Sequence, residues 1–238
     1  HPLAKLDISK YPLPKFKDAA GSEQVVDSGR SREFRFVDVA DRVGLNFAYF
    51  GAELPVLRVR RFSHLLGGGL GVLDFDQDGW PDLYCAQGAP QEGDSPVGDS
   101  AKIYRDRLFR NMGRSGVAGN FLDVTAQAGL GDQDLSHGVA VGDYNNDGFP
   151  DLWIGNAGEN RLYRNNGDGT YSDATAEAGI SGSAWTASCV VADFNGDGLP
   201  DLYEVNYLGG DQVQGTMCLG GEDCSPAAFR ADQDRFFL

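Results

Sequence analysis

Short apolar runs, interrupted at close intervals by Asp, Asn and Gly, follow one another along most of the chain. The runs 83–85, 152–154 and 202–205 are typical of strands, and each follows an acidic segment. Small apolar residues precede the acidic segments, as in 138–142. No long helix is indicated, because the runs show little 3.6-residue periodicity. The pattern predicts an all-β fold in which each acidic segment joins two strands.

The acidic segments are three copies of one nine-residue pattern, which reads DFDQDGWPD over 74–82, DYNNDGFPD over 143–151 and DFNGDGLPD over 193–201. An Arg-Leu/Phe-aromatic phrase and an aromatic-x-Asp phrase recur in step with it. Repeated four-stranded units of about 50 residues are typical of β-propeller blades. We therefore predict an incomplete β-propeller of about three blades, at about 64–130, 131–180 and 181–238. One outer strand near 34–40 precedes them within the partial propeller at 34–238, and 1–33 is predicted to be an extended arm or linker.

Each nine-residue loop offers a set of hard oxygen ligands. Side chains at positions 1, 3, 5 and 9 and the backbone carbonyl at position 7 suit Ca²⁺, which takes about six to eight oxygens. Glycine at position 6 allows the positive φ that wraps a loop around an ion. The apolar side chains at position 7 are expected to pack between blades. The candidate ligands are Asp74, Asp76, Asp78, Trp80 and Asp82, then Asp143, Asn145, Asp147, Phe149 and Asp151, then Asp193, Asn195, Asp197, Leu199 and Asp201.

Other interpretations of these loops fit less well. Asx-turns without metal would join the strands, but the crowded carboxylates would then repel one another. An EF-hand needs a Glu at position 12 and flanking helices, whereas only Glu204 complies and Pro occupies position 8 of every copy. Mg²⁺ prefers small octahedral shells that retain water, and Zn²⁺ prefers His or Cys, which these loops lack. About three bound Ca²⁺ ions are therefore predicted.

The composition agrees with this interpretation. The net charge is −15, with 27 Asp against 8 Glu, and ten of the Asp lie in the three loops. An acidic chain lacks the clustered Lys and Arg that nucleic acids require, so nucleic acid is not an expected partner. No apolar stretch approaches the length of about 18 residues that a membrane span needs.

The phrase GVAVGDYNNDGFPDLWIGN, followed by RLYRNNGDGTYSDATAEAGI, resembles the FG-GAP/VCBS repeat, which forms the blades of integrin α-subunit propellers. Together with the F-x-DVT-x-x-AGL phrase, it is most similar to the bacterial and cartilage-acidic-protein branch. The resemblance covers about 34–238 and implies that the loop residues above bind Ca²⁺. It also implies an exported protein, at an extracellular, cell-surface or periplasmic location. Cys218 and Cys224 are then predicted to form a loop-closing disulfide, the alternative being free thiols.

The family's propellers usually have seven blades, so a protein partner or a further part of the propeller is expected to complete this one. No nucleophile elbow, P-loop, dinucleotide fingerprint or zincin motif occurs in the sequence. We therefore predict a non-enzymatic interaction scaffold or accessory subunit of a larger assembly. The alternative is a carbohydrate-binding propeller, or the propeller domain of a polysaccharide-active enzyme. That function would require exposed aromatic residues beside Lys, Arg or His on one face.

Overall fold

The computed structural model describes residues 35–50, 59–61, 67–89, 104–113, 120–209, 216–219 and 225–238. The chain divides into a unit His1–Asp38 and a larger unit Val39–Leu238. The arm predicted for 1–33 lies outside the described residues. All of the described strands belong to the larger unit.

The described strands are β1 (Val59–Arg61), β2 (Leu70–Leu73), β3 (Asp82–Cys85), β4 (Arg107–Asn111), β5 (Phe121–Asp123), β6 (Ser136–Gly142), β7 (Asp151–Asn156), β8 (Arg161–Asn165), β9 (Tyr171–Asp173), β10 (Thr186–Ala192), β11 (Asp201–Asn206), β12 (Leu208–Gly209), β13 (Met217–Leu219), β14 (Arg230–Ala231) and β15 (Arg235–Phe237). Strands β2 to β5 form the first four-stranded sheet and β6 to β9 form the second. The third sheet has the order β10-β11-β15. Two short pairs, β1 with β13 and β12 with β14, complete the described sheets.

The prediction of an all-β fold made of four-stranded antiparallel units is confirmed. Each acidic loop joins the first and second strands of its sheet, as expected from the repeat. The prediction of an outer strand near 34–40 is wrong for its described part, since residues 35–40 contain no strand. A 3₁₀ turn, Asp41–Val43, follows instead. A strand depends on a ladder to a neighbour, and no described strand pairs with this segment.

The sheets pack face to face through alternating side chains. Tyr84 and Leu108 of the first sheet are buried in one core with Leu152 and Ile154 of the second sheet. Trp153, the residue between those two, points to the other face and is buried in the core shared with the third sheet. Because successive residues of a strand face opposite sides, one sheet contributes to both cores.

Small residues in the first strands let neighbouring sheets approach closely. A Cβ atom at Gly71 would lie 2.8 Å from Cγ1 of Val139, and one at Gly142 would lie 2.6 Å from Cγ1 of Val191. Such distances are well inside van der Waals contact, so a larger residue would push the two strands apart. Glycine at these positions therefore sets the spacing between successive sheets.

A polar clamp ties the last residue of the second strand, or in the first sheet a residue just beyond it, to the residue that precedes the third strand. The side-chain oxygen of Asp106 accepts the backbone N–H of Gln87 at 2.7 Å. The corresponding pairs are Asn160 with the N–H of Asn156 at 2.9 Å and Asp234 with the N–H of Asn206 at 2.8 Å. The three clamps occupy the same place in the repeat, so they satisfy the same backbone donor in each sheet.

Asp106 gives one clamp a pH dependence. Burial raises the pKa of this carboxyl to about 8, although hydrogen bonds from the Tyr84 hydroxyl and the Gln87 N–H lower it, and nearby Asp132 adds repulsion. The folded protein therefore holds a proton that the unfolded chain, with a pKa near 3.9, has lost. Stability should fall as pH rises toward the folded pKa, by about 1.5 kcal/mol between about pH 6.5 and about pH 8.

An Asp106→Asn variant should lose this part of the pH dependence, because an amide does not ionise in this range. Urea unfolding of both proteins at several pH values gives the difference in slope. Asp234→Asn is the matched control, since Asp234 makes the same two contacts, to Asn206 and to the Tyr203 hydroxyl, at an exposed position. Equal slopes for the wild type and Asp106→Asn would contradict the prediction.

Candidate metal centre

The three acidic loops have one backbone conformation. Glycine at position 6 has φ of 85° at Gly79, 93° at Gly148 and 87° at Gly198, which confirms the expected turn. Position 4 is also left-handed, with φ of 56° at Gln77, 57° at Asn146 and 79° at Gly196. The sequence reasoning missed this second turn, because Gln does not favour positive φ.

The carboxylate at position 1 closes each loop. Asp74 accepts the N–H of Asp78 at 3.0 Å and that of Gly79 at 2.9 Å. Asp143 does the same with Asp147 at 3.0 Å and Gly148 at 2.7 Å. Asp193 accepts the N–H groups of Gly196 at 2.6 Å and Gly198 at 2.9 Å. In each loop, these bonds hold the backbone of the following residues around the position 1 carboxylate.

In the first loop, carboxylate oxygens of Asp74, Asp76 and Asp78 lie within 4.8 Å of one another. Arg110 from β4 pairs with Asp76 at 2.6 Å and with Asp78 at 3.1 Å, which offsets part of their repulsion. Oδ1 of Asp76 is buried and accepts no hydrogen bond. A buried carboxylate oxygen without a donor is unfavourable unless a cation binds it. This all-oxygen set fits a hard divalent cation.

In the other two loops, Asn replaces the second carboxylate. The amide of Asn145 donates to Asp147 at 2.8 Å, and that of Asn195 donates to Asp197 at 3.0 Å. An amide donor reduces the repulsion among the remaining carboxylates without an arginine. These loops therefore carry one negative charge fewer than the first loop.

The aspartate at position 9 is buried and has a structural contact of its own. Asp82 accepts the N–H of Phe75 at 3.0 Å and that of Asn111 at 2.7 Å. Asp151 makes the same bonds to Tyr144 at 3.0 Å and Asn165 at 2.7 Å. Asp201 accepts the N–H of Phe194 at 2.9 Å. Each of these carboxylates links its loop to the sheet, a role that the sequence reasoning missed.

Burial is the main cause that raises the pKa of Asp82 to about 6, and the nearby Asp76 and Asp78 add to it. Burial likewise raises the pKa of Asp151 to about 6, with Asp147 and Asp143 contributing. The backbone N–H donors act in the opposite direction, since they favour the ionised form. A bound cation would also favour ionisation.

Asp82→Ala should therefore destabilise the protein even in EDTA, by about 2–3 kcal/mol, because it leaves two buried N–H groups without an acceptor. Asp78→Ala, which removes an exposed loop carboxylate, is the matched control and should change stability in EDTA by less than about 1 kcal/mol. Chemical denaturation of both variants in EDTA measures these effects. If the two variants were equally stable, position 9 would have no structural role apart from the ion.

The side chains at position 7 lie outside the described clusters of buried core residues. Trp80 lies against Gly113 and Phe149 lies against Gly167, each within its own repeat, and Leu199 is exposed. The expected packing between blades is wrong for the exposed Trp80 and Leu199, and it stays a prediction for Phe149. Glu204, the only residue that matched an EF-hand at position 12, is held by Asn160, Asn206 and Arg235.

The predicted disulfide lies partly outside the described residues, since they do not include Cys224, and it stays a prediction. Among the described residues, no helix has the length and apolar character needed to cross a membrane.

Successive antiparallel sheets, in each of which an acidic hairpin loop joins the first two strands, define a propeller-type repeat protein. The model of the FG-GAP-like repeat matches residues 74–154 and 143–204, which together make up more than half of the chain. The chain belongs to this family, and the resemblance seen in the sequence is confirmed at that level. The assignment to a bacterial branch stays a prediction.

Integrin α-subunits are similar to this chain. It is 31% identical to integrin alpha-6 of Homo sapiens over 153 residues, and 30% identical to integrin alpha-7 of Rattus norvegicus over 148 residues. Each alignment covers 55% of this chain and 12% of the integrin. The chain thus corresponds to a small part of those proteins.

Proposed function

We propose that this chain is a calcium-stabilised propeller segment that acts, outside the cytoplasm, as a non-enzymatic scaffold for protein interaction. The observation that carries the calcium proposal is the carboxylate group of the first loop, with its buried and unpaired Asp76 oxygen. The repeat extends this proposal to the other loops, which keep the positive φ at positions 4 and 6 and a position 1 carboxylate that accepts the N–H of position 6. About three ions would bind, through side chains at positions 1, 3, 5 and 9 and the carbonyl groups of Trp80, Phe149 and Leu199.

Calcium binding supports a location outside the cytoplasm. Extracellular calcium modules bind with dissociation constants of about 10⁻⁴–10⁻³ M, which suits sites that are open to solvent. The loop residues at positions 4 to 6 are exposed in all three copies. Such sites would be filled where calcium is abundant and largely empty at the calcium concentration of a resting cytoplasm.

An uncovered apolar face on the third sheet supports the scaffold function. Its exposed fractions are 39% at Val190, 53% at Phe194 and 47% at Phe236, with Tyr203 beside them. In the second sheet, the residues at the corresponding strand positions are buried against the third sheet, at 8% for Ala140, 0% for Trp153 and 1% for Leu162. The face therefore has the composition and the position of a contact between sheets.

We propose that a further sheet of the same repeat type packs on this face. The two described contacts, between the first and second sheets and between the second and third sheets, favour such a sheet. The strand positions that form those contacts are the ones exposed on this face. A concavity of about 330 Å³ lies among Phe194, Tyr203 and Phe236. A sugar site would need polar groups to orient the hydroxyls, whereas the described residues that line this concavity are all aromatic.

Isothermal titration tests the calcium proposal directly. The wild type should bind about three Ca²⁺, and Asp74→Ala, Asp143→Ala and Asp193→Ala should each remove one. Asp168→Ala is the matched control, because Asp168 is an exposed turn aspartate outside the loops. Failure of the wild type to bind calcium would overturn the proposal.

Photocrosslinking tests the occupant. A photoreactive amino acid placed at Phe236 in the native protein should crosslink to a peptide of an FG-GAP-like repeat, identified by mass spectrometry. The same amino acid at Thr170, in the β8–β9 turn, is the control and should not crosslink to such a peptide. Crosslinks from Phe236 to glycan, or to no repeat peptide, would contradict the assignment.

A further inference from the structure

Neighbouring acidic loops are joined by side-chain hydrogen bonds. Nε2 of Gln77, at position 4 of the first loop, donates to the carbonyl oxygen of Gly148, at position 6 of the second loop, at 2.6 Å. Nδ2 of Asn146, at position 4 of the second loop, donates to the carbonyl oxygen of Gly198 in the third loop at 3.2 Å. The same contact thus occurs twice, between the same two positions. We call these two bonds the loop straps.

The donor of each strap is built into its loop. Gln77 and Asn146 both have left-handed backbone, which is unfavourable for Gln and better tolerated by Asn. Gln77 lies between Asp76 and Asp78, two of the proposed ligands, and Asn146 lies between Asn145 and Asp147. Fixing the two ligands around an ion therefore also fixes the backbone from which the strap donor projects.

The acceptor of each strap also lies between ligand positions. The peptide that joins Gly148 to Phe149 has its carbonyl held by Gln77, while its N–H donates to Asp147 at 2.9 Å. The peptide that joins Gly198 to Leu199 is held in the same way, by Asn146 and, at 2.8 Å, by Asp197. Hydrogen bonds to both the carbonyl and the N–H fix the orientation of this peptide group. The peptide group in turn positions the next carbonyl, which is the proposed backbone ligand of that loop.

We propose that the loop straps couple the three calcium sites, so that filling one raises the affinity of its neighbour. This inference rests on the proposed function, since it requires the loops to bind calcium. The coupling arises because an ion in one loop orders a strap, and the strap then orders part of the next loop before its ion arrives. By reciprocity, an ion in the second loop strengthens the first site by the same factor.

The series of straps ends at the third loop. Position 4 there is Gly196, which has no side chain to donate. The coupling therefore runs between the first and second sites and between the second and third sites. The third loop accepts a strap from Asn146, but its position 4 has no side chain that could donate another.

Terbium luminescence can report on the first site alone. Trp80 is at position 7 of the first loop, whereas the second and third loops have Phe149 and Leu199 there. Tb³⁺ replaces Ca²⁺ at oxygen sites, and an adjacent indole sensitises its emission. A Trp80→Phe variant identifies the part of the signal that comes from the first site.

The experiment is a double-mutant cycle on first-site affinity for Tb³⁺, in the whole chain. Asp143→Ala disables the second site, and Gln77→Gly removes the first strap while relieving the left-handed backbone. In the wild-type background, disabling the second site should weaken the first about fivefold or more. In the Gln77→Gly background it should have no effect. Gln77→Asn should keep the coupling, because Asn146 makes the same strap.

Three other results would each contradict a part of the proposal. Equal coupling with and without Gln77 would overturn the role of the strap. Independent sites in the wild type would overturn the coupling and leave calcium binding intact. Absence of both Tb³⁺ and Ca²⁺ binding would overturn the coupling and the proposed function together. Circular dichroism in EDTA verifies that each variant is folded.

Discussion

Removal of calcium is expected to lower the unfolding midpoint by roughly 15–30 °C. A ligand present at a hundred times its dissociation constant adds about 2.7 kcal/mol to the stability of the folded state. Three such sites add about 8 kcal/mol, and each kcal/mol moves the midpoint by about 2–4 °C in a chain of this size. Differential scanning calorimetry in saturating Ca²⁺ and in EDTA measures the shift.

The control is the triple variant Asp74→Ala, Asp143→Ala and Asp193→Ala, whose midpoint should be the same in both buffers. Mg²⁺ should replace Ca²⁺ poorly, because it demands a small octahedral shell and loses water reluctantly. An unchanged midpoint for the wild type in EDTA would show that calcium does not stabilise this fold.

Arg235→Ala is expected to reduce the free energy of unfolding by about 3 kcal/mol or more. Glu204 is fully buried, and Arg235, which is partly exposed, supplies its positive partner. Asn160 and Asn206 also donate to Glu204, at 2.7 and 3.1 Å, but they bring no charge. Removing the guanidinium leaves a buried carboxylate uncompensated, which is strongly destabilising. Guanidinium chloride unfolding measures the loss.

Arg107→Ala is the matched control, since Arg107 starts the same repeat phrase but pairs with the half-exposed Asp123. That change should cost less than about 1 kcal/mol, as is usual for exposed ion pairs. Adding Glu204→Gln to Arg235→Ala should recover most of the loss, because no buried charge then remains. Similar losses for the two arginine variants would contradict this explanation.

The repeat made much of the fold predictable. Strand positions followed from the short apolar runs, and the turn at Gly148 followed from a glycine fixed at position 6 of every loop. These features depend on residues close together in the sequence, so their signals are local. The third strands were also predictable, because the Arg-Leu/Phe-aromatic phrase begins β4, β8 and β15.

The contacts that were missed join residues far apart in the chain. Gln77 and Gly148 are 71 positions apart, and nothing near Gln77 indicates a partner in another loop. The polar clamp did leave a signal, since Asp or Asn precedes the Arg-Leu/Phe-aromatic phrase in every copy. Comparing the repeats residue by residue would have found it. The burial of Glu204 had no such signal, because the other copies have Cys85 and Ile154 at that position.

The polar clamps also indicate the order in which the sheets fold. The clamped residues are 4 positions apart in the second sheet, 19 in the first and 28 in the third. Closing the longest of these loops costs about 1.7 kcal/mol more chain entropy than closing the shortest. The second sheet is therefore the favoured nucleus, and β15 is the last of the described strands to join the third sheet. The apolar face that includes Trp153 therefore stays exposed until Phe237 of β15 packs against it.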